Sequence, residues 1–238
     1  MKKLSVIVPA FNEAATLSVV LEKIRNVVLI DEMTCEVIVV DDCSTDATAA
    51  VFAAYRDAHP GFPLQYLRNE TNQGKGYSIV RGIQQASGDY VIVQDADLEY
   101  DPEEYNLLLR PMALGQADVV YGSRFMGGSP HRILFFWHSL GNRFLTFISN
   151  MATNLNLTDM ETGYKLFRRE LIAGIRLVEK RFGFEPEVTA KISRVPGIRI
   201  YEVGISYYGR TYAEGKKINW RDGLKAIYCI LYYNYIRR

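Results

Sequence analysis

Two aspartates one residue apart, Asp95-Ala96-Asp97, follow the apolar run Tyr90-Val91-Ile92-Val93 after a single glutamine, Gln94. Carboxylates at i and i+2 behind a buried strand cannot both face a core, and a hard dication would relieve their repulsion. Mg²⁺ suits one or two carboxylates completed by substrate phosphates, and Mn²⁺ is similar. Held there, it would neutralise charge building up on a departing diphosphate. Alone, the triplet fits a solvated acidic turn equally well. A second pair, Asp41-Asp42, closes the apolar run 37–40. It offers an acceptor for a base N–H or ribose hydroxyls, in competition with helix capping. In Asn72-Gln73-Gly74-Lys75-Gly76, the glycines permit close backbone approach to a ligand, and Lys75 offers a charge for phosphate. An ordinary glycine turn is the alternative.

Such groups need strand ends to hold them. Short apolar runs at residues 4–8, 37–40, 64–67, 90–93 and 119–121 read as buried strands. Leu17, Val20, Leu21, Ile24 and Val27 recur at helical spacing, with Asn12 or Thr16 as the cap, and Ser44-Thr45-Asp46 opens a second helix. Residues 75–86 read as a third. Alternation of strand and helix through about the first 125 residues predicts a mostly parallel sheet with helices on both faces. Ligands bind such sheets beyond the carboxyl ends of the strands, where Phe11-Asn12-Glu13, Asp41-Asp42 and Asp95-Ala96-Asp97 all fall. Later, a helix through Phe144, Phe147 and Ile148, a strand at 203–208, a basic loop at 209–217 and an aromatic tail are expected.

The chain has 238 residues, 48% hydrophobic, enough for one large α/β domain. With 28 Lys and Arg against 27 Asp and Glu, no global field points to nucleic acid. Cys35, Cys43 and Cys229 share no metal spacing, and His59, His131 and His138 show no ligand spacing. A reducing cytosol follows as the expectation, with no room for a signal peptide before the first strand and no membrane-spanning run.

The order of the motifs is more specific than any one of them. Residues Val6 to Glu13, Val39 to Asp46, Asn72 to Gly76, Asp95 to Asp97 and then Gly122-Ser123-Arg124 together resemble glycosyltransferase family 2. Within it the chain looks most like the polyprenyl-phosphate sugar synthases, such as dolichyl-phosphate mannose synthase, over roughly its first 215 residues. The resemblance implies a GT-A fold, a nucleoside-diphosphate sugar donor of the GDP-mannose or UDP-glucose type, and inversion at the anomeric carbon. It implies that Pro9, Phe11, Glu13 and Asp41 or Asp42 hold the nucleoside, with Lys75 on the donor side. Asp95 and Asp97 would hold the metal and diphosphate, with Glu99 as a third oxygen ligand, and Arg124 would lie near the phosphates.

Asp159-Met160-Glu161-Thr162-Gly163-Tyr164-Lys165 resembles the family's stretch where a carboxylate base is expected, which makes Asp159 and Glu161 its candidates, with a plain helix-start acid as the alternative. A phosphomonoester acceptor is already largely ionised, its second pKa lying near ~6, and can dispense with a base. It does need cations, and Arg210, Lys216 and Lys217 resemble a phosphate-contacting loop. On this reading Arg210 serves the acceptor and leaves nucleotide affinity alone. Glu185 and Glu187 are candidates for sugar hydroxyls or a solvated helix start.

Residues 133–137 and 226–236 are apolar, aromatic and too short to span a bilayer, so they suit either a membrane interface or packing, including a homo-oligomer contact. The resulting expectation is a catalytic domain over 1–215, divided into a nucleotide-sugar half (1–125) and an acceptor half (126–215), with a tail over 216–238. Transfer is to a polyprenyl phosphate at the cytoplasmic membrane face. The rivals are a transferase that extends a saccharide and a non-catalytic nucleotide-sugar-binding module.

Overall fold

The computed structural model describes residues 1–127, 132, 135–210 and 220–237. Its strands are β1 (Lys3–Ala10), β2 (Thr34–Asp41), β3 (Leu64–Arg68), β4 (Tyr90–Val93), β5 (Val119–Ser123), β6 (Lys165–Arg168) and β7 (Ile200–Gly204). The helices are α1 (Leu17–Asn26), α2 (Thr48–Ala58), α3 (Lys75–Gln85), α4 (Tyr105–Ala113), α5 (Phe136–Thr153), α6 (Arg169–Gly174), α7 (Phe184–Ile192) and α8 (Trp220–Leu231).

The strands form one sheet in the order β3-β2-β1-β4-β6-β5-β7. β1, β2, β3 and β4 run parallel, β6 lies antiparallel between β4 and β5, and β7 is parallel to β5. Successive residues feed opposite faces. Val6, Val8, Val37, Val39 and Ile92 enter one core layer, whereas Ile7, Ile38, Val40, Val91 and Val93 enter the other. Both faces are therefore apolar, which is why these strands read as continuous runs. The α/β architecture with helices on both faces is the one expected.

Several elements differ from the sequence expectation. The second helix starts at Thr48, not at Ser44, because Asp46 accepts from the Thr48 N–H at 3.0 Å and closes the turn ahead of it. The late strand runs over Ile200–Gly204, not 203–208. Tyr207 and Tyr208 leave the sheet to hold Glu99: Tyr208 N donates to the Glu99 carbonyl at 3.0 Å and Tyr207 OH to Glu99 Oε2 at 2.8 Å. Helix α7 buries the glutamates that a solvated helix start would expose, with Glu185 at 4% and Glu187 at 0% exposure. Glu187 accepts from the backbone N–H groups of Val178 (3.0 Å) and Glu179 (2.7 Å) and pairs with Lys191 at 2.5 Å. No helix among the described residues is long and apolar enough to cross a membrane.

Candidate active site

The ends of β1, β2 and β4 deliver their polar groups to one edge of the sheet. The loop after β4 is anchored from below. Gln94 is fully buried, donates to the carbonyls of Asp95 (3.1 Å) and Tyr100 (3.3 Å), and accepts from Tyr105 OH at 3.0 Å. Leu98 turns the loop with φ of 63°, a left-handed conformation that non-glycine residues seldom adopt. This tight turn brings Asp95, Asp97 and Glu99 out on one loop.

Their partners are cations from elsewhere in the chain. Lys75 Nζ pairs with Asp95 at 2.8 Å and lies 3.7 Å from Glu185. Arg210 Nη2 pairs with Asp97 Oδ2 at 2.7 Å, with Glu99 at 3.6 Å and Glu13 at 3.9 Å around the same guanidinium. Burial, then the neighbouring charges of Asp95 and Glu99, push the Asp97 carboxyl up to about 7, against the pull of Arg210. Burial opposes the Lys75 ammonium, yet Asp95 and Glu185 outweigh it and hold that group charged. Such a cluster has more negative charge than its protein cations relieve at Asp97, which is the chemistry of a cation site.

The fit to a dication rests on two carboxylates, not three. Among the described residues no three acidic, His or Cys side chains converge as a ligand set. Glu99 is engaged otherwise: Oε2 accepts from Tyr207 OH and Oε1 from Arg210 N at 2.8 Å. The expectation of Glu99 as a third ligand is therefore corrected. Asp95 and Asp97 remain, the number that Mg²⁺ or Mn²⁺ needs when substrate phosphates complete its shell.

The nucleoside-side aspartates also differ from expectation. Asp41 is fully buried, accepting from Ser44 N (2.8 Å) and Tyr66 OH (2.5 Å). Asp42 accepts from Asn69 Nδ2 (2.7 Å), Gln73 N (2.8 Å) and Gly74 N (2.6 Å). Both close turns and offer no open carboxylate to a ligand in this arrangement, which is the capping alternative in a tertiary form. The glycines at 74 and 76 are likewise explained by protein. A Cβ on Gly74, whose φ is +99°, would stand 2.4 Å from the Lys180 carbonyl oxygen, and one on Gly76 would stand 2.5 Å from that of Glu179. The close backbone approach is to residues 179–181, and its consequence is to fix Lys75 between them. Asp42→Ala should therefore act on stability. It strands three donors at ~1–3 kcal/mol for a buried unpaired group, and for a chain of this length each kcal/mol is worth about 2–4 °C. A melting temperature lowered by roughly 5–10 °C is expected in thermal denaturation. An unchanged melting temperature with weakened nucleotide binding would return Asp42 to the ligand.

Pro9 lies within β1, opposite Val40 of β2. Phe11, Asn12 and Glu13 come after it, a segment stitched to the loop after β2 by Asn12 N to Ser44 Oγ (2.9 Å) and Thr45 N to Asn12 Oδ1 (2.8 Å), and to the start of α2 by Glu13 N to Thr48 Oγ1 (3.0 Å).

On the far side, Arg124 at the end of β5 grips Asp159 through Nε (2.6 Å) and Nη2 (2.7 Å), with its own backbone N–H as a third donor at 3.1 Å. Tyr207 lies under the guanidinium, 5.2 Å from ring centroid to Cζ. Glu202 of β7 fixes the segment by accepting from Thr158 N (2.9 Å) and Asp159 N (3.0 Å). Gly163 packs directly on the acidic loop, since a Cβ there would meet Asp95 Oδ2 at 2.7 Å and Lys75 Nζ at 3.2 Å. Glu161 and Lys165 flank it. Burial and then the charge of Glu185 push the Glu161 carboxyl up to about 8, and its Oε1 is buried without a hydrogen-bond partner. Burial pulls the Lys165 ammonium down to about 8 despite Glu185, Glu161 and Asp159, and Lys165 donates to the Thr162 carbonyl over the Tyr121 ring. The structure thus gathers Asp95, Asp97, Lys75, Arg124, Asp159, Glu161, Arg210 and Glu13 at the edge of the sheet where β1, β2 and β4 end. Glu185 and Lys165 join them, although nothing in the spacing marks Lys165 beyond its place two residues after Gly163. Lys216 and Lys217, with Ile133 and Leu134, lie outside the described residues.

The chain matches the model of "Glycosyl transferase family 2" over residues 5–176. It is 27% identical over 223 residues to a dolichol-phosphate mannosyltransferase of Pyrococcus furiosus, covering 91% of this chain and 60% of that one. It is 29% identical over 222 residues to an undecaprenyl-phosphate mannosyltransferase of Micrococcus luteus, covering 88% and 85%. The chain therefore spans about three fifths of the archaeal relative and most of the bacterial one. In fold it is similar to glucosyl-3-phosphoglycerate synthase from Mycobacterium tuberculosis, solved with Mn²⁺, UDP and phosphoglyceric acid, at a TM-score of 0.75 and 22% identity over 99% of this chain and 79% of that one. The sheet is the GT-A arrangement, and the chain belongs to glycosyl transferase family 2.

Proposed function

We propose that the chain is an inverting, metal-dependent hexosyltransferase that moves a sugar from a nucleoside diphosphate sugar to a polyprenyl phosphate. The observation that carries this reading is the gathering of Asp95, Asp97, Lys75, Arg124 and Arg210 at the carboxyl ends of the strands. The names of the polyprenyl-phosphate relatives point the same way. Asp95 and Asp97 would hold Mg²⁺ or Mn²⁺, which when bound supplies charge neutralisation for the donor diphosphate. Lys75, pinned by its flanking glycines, presents a fixed positive charge beside that diphosphate. Arg124, held rigidly by Asp159, presents the planar guanidinium that suits phosphate oxygens. Arg210 faces the same loop from the acceptor half, and residues 1–125 carry the donor side.

Glu161 bears on the choice of acceptor. Burial and then the charge of Glu185 disfavour its ionised form, which is the form that a base for a sugar hydroxyl needs. A phosphate acceptor needs no such base. The test supplies UDP- and GDP-sugars with Mn²⁺ and either a short polyprenyl phosphate or free saccharides. Transfer to the polyprenyl phosphate is expected, with Glu161→Gln within about tenfold of wild type. Transfer only to saccharides, abolished in Glu161→Gln, would replace this reading with the saccharide-extending one. Binding of a donor with neither transfer nor hydrolysis would leave a non-catalytic module.

A further inference from the structure

Four tyrosines stack behind the acidic loop. Ring centroids stand 5.4 Å apart from Tyr207 to Tyr100, 5.1 Å from Tyr100 to Tyr164 and 6.0 Å from Tyr164 to Tyr105. Each hydroxyl bonds to that loop or to the glycine packed against it. Tyr105 OH donates to Gln94 Oε1 at 3.0 Å, Tyr164 OH to the Asp101 carbonyl at 2.9 Å and Tyr207 OH to Glu99 Oε2 at 2.8 Å, while Tyr100 OH accepts from Gly163 N at 2.9 Å. Three of the rings belong to the core, with Tyr100 at 3% exposure and Tyr105 and Tyr164 fully buried. Tyr207 is half-buried and has a second neighbour, the Arg124 guanidinium, 5.2 Å from its ring centroid. Strands β5 and β7 pair in parallel as far as Ser123 and Gly204. They therefore leave the sheet side by side and deliver Arg124 and Tyr207 to the same place.

We infer that Tyr207 is a positioning residue, whose ring fixes the plane of the Arg124 guanidinium relative to the loop that carries Asp95 and Asp97. The inference rests on the transferase reading and deepens it by naming what aims Arg124. Asp159 takes the Nε–H and an Nη2–H of Arg124, and these two bonds hold one edge of a planar fork. The Nη1 end is then what Arg124 can turn toward a phosphate. A bonded edge still pivots about the line joining guanidinium and carboxylate, and a ring against one face stops that pivot. Contact with the ring also stabilises the cation itself. Phe125, 5.8 Å from the same carbon, lies near the outer limit of such contacts. The hydroxyl of Tyr207 has a separate role. Its bond to Glu99, together with the Tyr100 contact, ties the ring to the acidic loop. The arginine and the two aspartates thereby keep one geometry.

The experiment uses the whole chain with isotope-labelled arginine. It compares Tyr207→Phe, which keeps the ring, with Tyr207→Leu, which removes it. Tyr164→Phe is the control, since it loosens the same stack without touching an arginine. The Arg124 Nε–H resonance, assigned by its absence in Arg124→Lys, reports on the clamp without turnover. Its hydrogen exchange should be about tenfold faster in Tyr207→Leu, and within about twofold of wild type in Tyr207→Phe and Tyr164→Phe. Transfer to a short polyprenyl phosphate should follow the same order. We expect kcat to fall about tenfold in Tyr207→Leu and less than about threefold in the other two. The donor KM should stay nearly constant, because the aimed guanidinium acts on charge that develops in the transition state. In an active enzyme, unchanged exchange or unchanged kcat in Tyr207→Leu overturns the proposal. So do equal losses in Tyr207→Phe and Tyr207→Leu, which would assign the effect to the hydroxyl on Glu99. A loss in Tyr164→Phe as large as in Tyr207→Leu also overturns it, as a general loosening of the stack. Tyr207→Met carries the same expectations where Tyr207→Leu fails to melt cooperatively. Faster exchange in Tyr207→Leu, while wild type transfers from no nucleotide sugar, supports the positioning and overturns only the transferase reading.

Discussion

Asp97→Ala is expected to abolish sugar transfer and leave a folded protein. The carboxylate sits on a loop beyond β4, outside both core layers, and pairs with Arg210 at 2.7 Å. Burial, Asp95 and Glu99 already push the group up to about 7, so the fold pays a cost to keep it ionised there. Its loss removes like-charge repulsion along with one ion pair, and the melting temperature should move little. The rate behaves differently. Loss of one preorganised electrostatic group costs on the order of 10²–10³, and loss of a dication that neutralises a leaving diphosphate costs more. Transfer kinetics with and without EDTA, beside a thermal melt, make the check. Full activity in EDTA, or in the variant, would remove the metal from the site.

The same loop shows where sequence reasoning reached and where it stopped. Strands β1, β2 and β4 were legible because both of their faces are buried, leaving uninterrupted Val and Ile runs. Asp95 and Asp97 were legible because they follow such a run. Glu99 looked like a further ligand for the same reason, and only tertiary contact diverts it to Tyr207 and the Arg210 backbone, more than a hundred residues away. Strand β6 gave no signal. Two of its four residues, Lys165 and Arg168, are basic, and Lys165 is buried only because the Tyr121 ring and the Thr162 carbonyl receive it. Helix α7 read as solvated because Glu185 and Glu187 open it, while Glu187 in fact accepts the stranded N–H groups of Val178 and Glu179. Gly74 and Gly76 were correctly singled out as points of close approach, yet spacing alone could not say that the approaching backbone is the protein's own. What was missed are polar groups whose burial is paid by partners distant in sequence.

Arg210→Ala is expected to give two effects of opposite sign: slower transfer, by at least ~10², and tighter Mn²⁺ binding, by about tenfold. Sequence reasoning placed Arg210 with the acceptor and made it independent of the donor. The geometry couples the two, because the guanidinium reaches Asp97 at 2.7 Å with Glu99 and Glu13 within 3.9 Å. Burial works against its charge, and those three carboxylates more than offset the penalty. A dication held at Asp97, as the proposed function has it, would compete with the guanidinium for the same carboxylate. At ~4 Å and an effective dielectric of ~20, a pair of unit charges interacts by about 4 kcal/mol, and partial exposure with side-chain rearrangement reduces this to the tenfold stated. Transfer should fall all the same, because on the proposed function an arginine released from Asp97 would be free to meet an acceptor phosphate at the moment of attack. Arg210→Lys separates the contributions. It keeps the charge, and so the weaker metal affinity, but loses the planar fork and with it part of the rate. Manganese titration by electron paramagnetic resonance gives the first quantity without any turnover, and transfer kinetics give the second. Unchanged metal affinity in Arg210→Ala would show that the guanidinium and the metal do not share Asp97, and unchanged transfer would remove Arg210 from the acceptor.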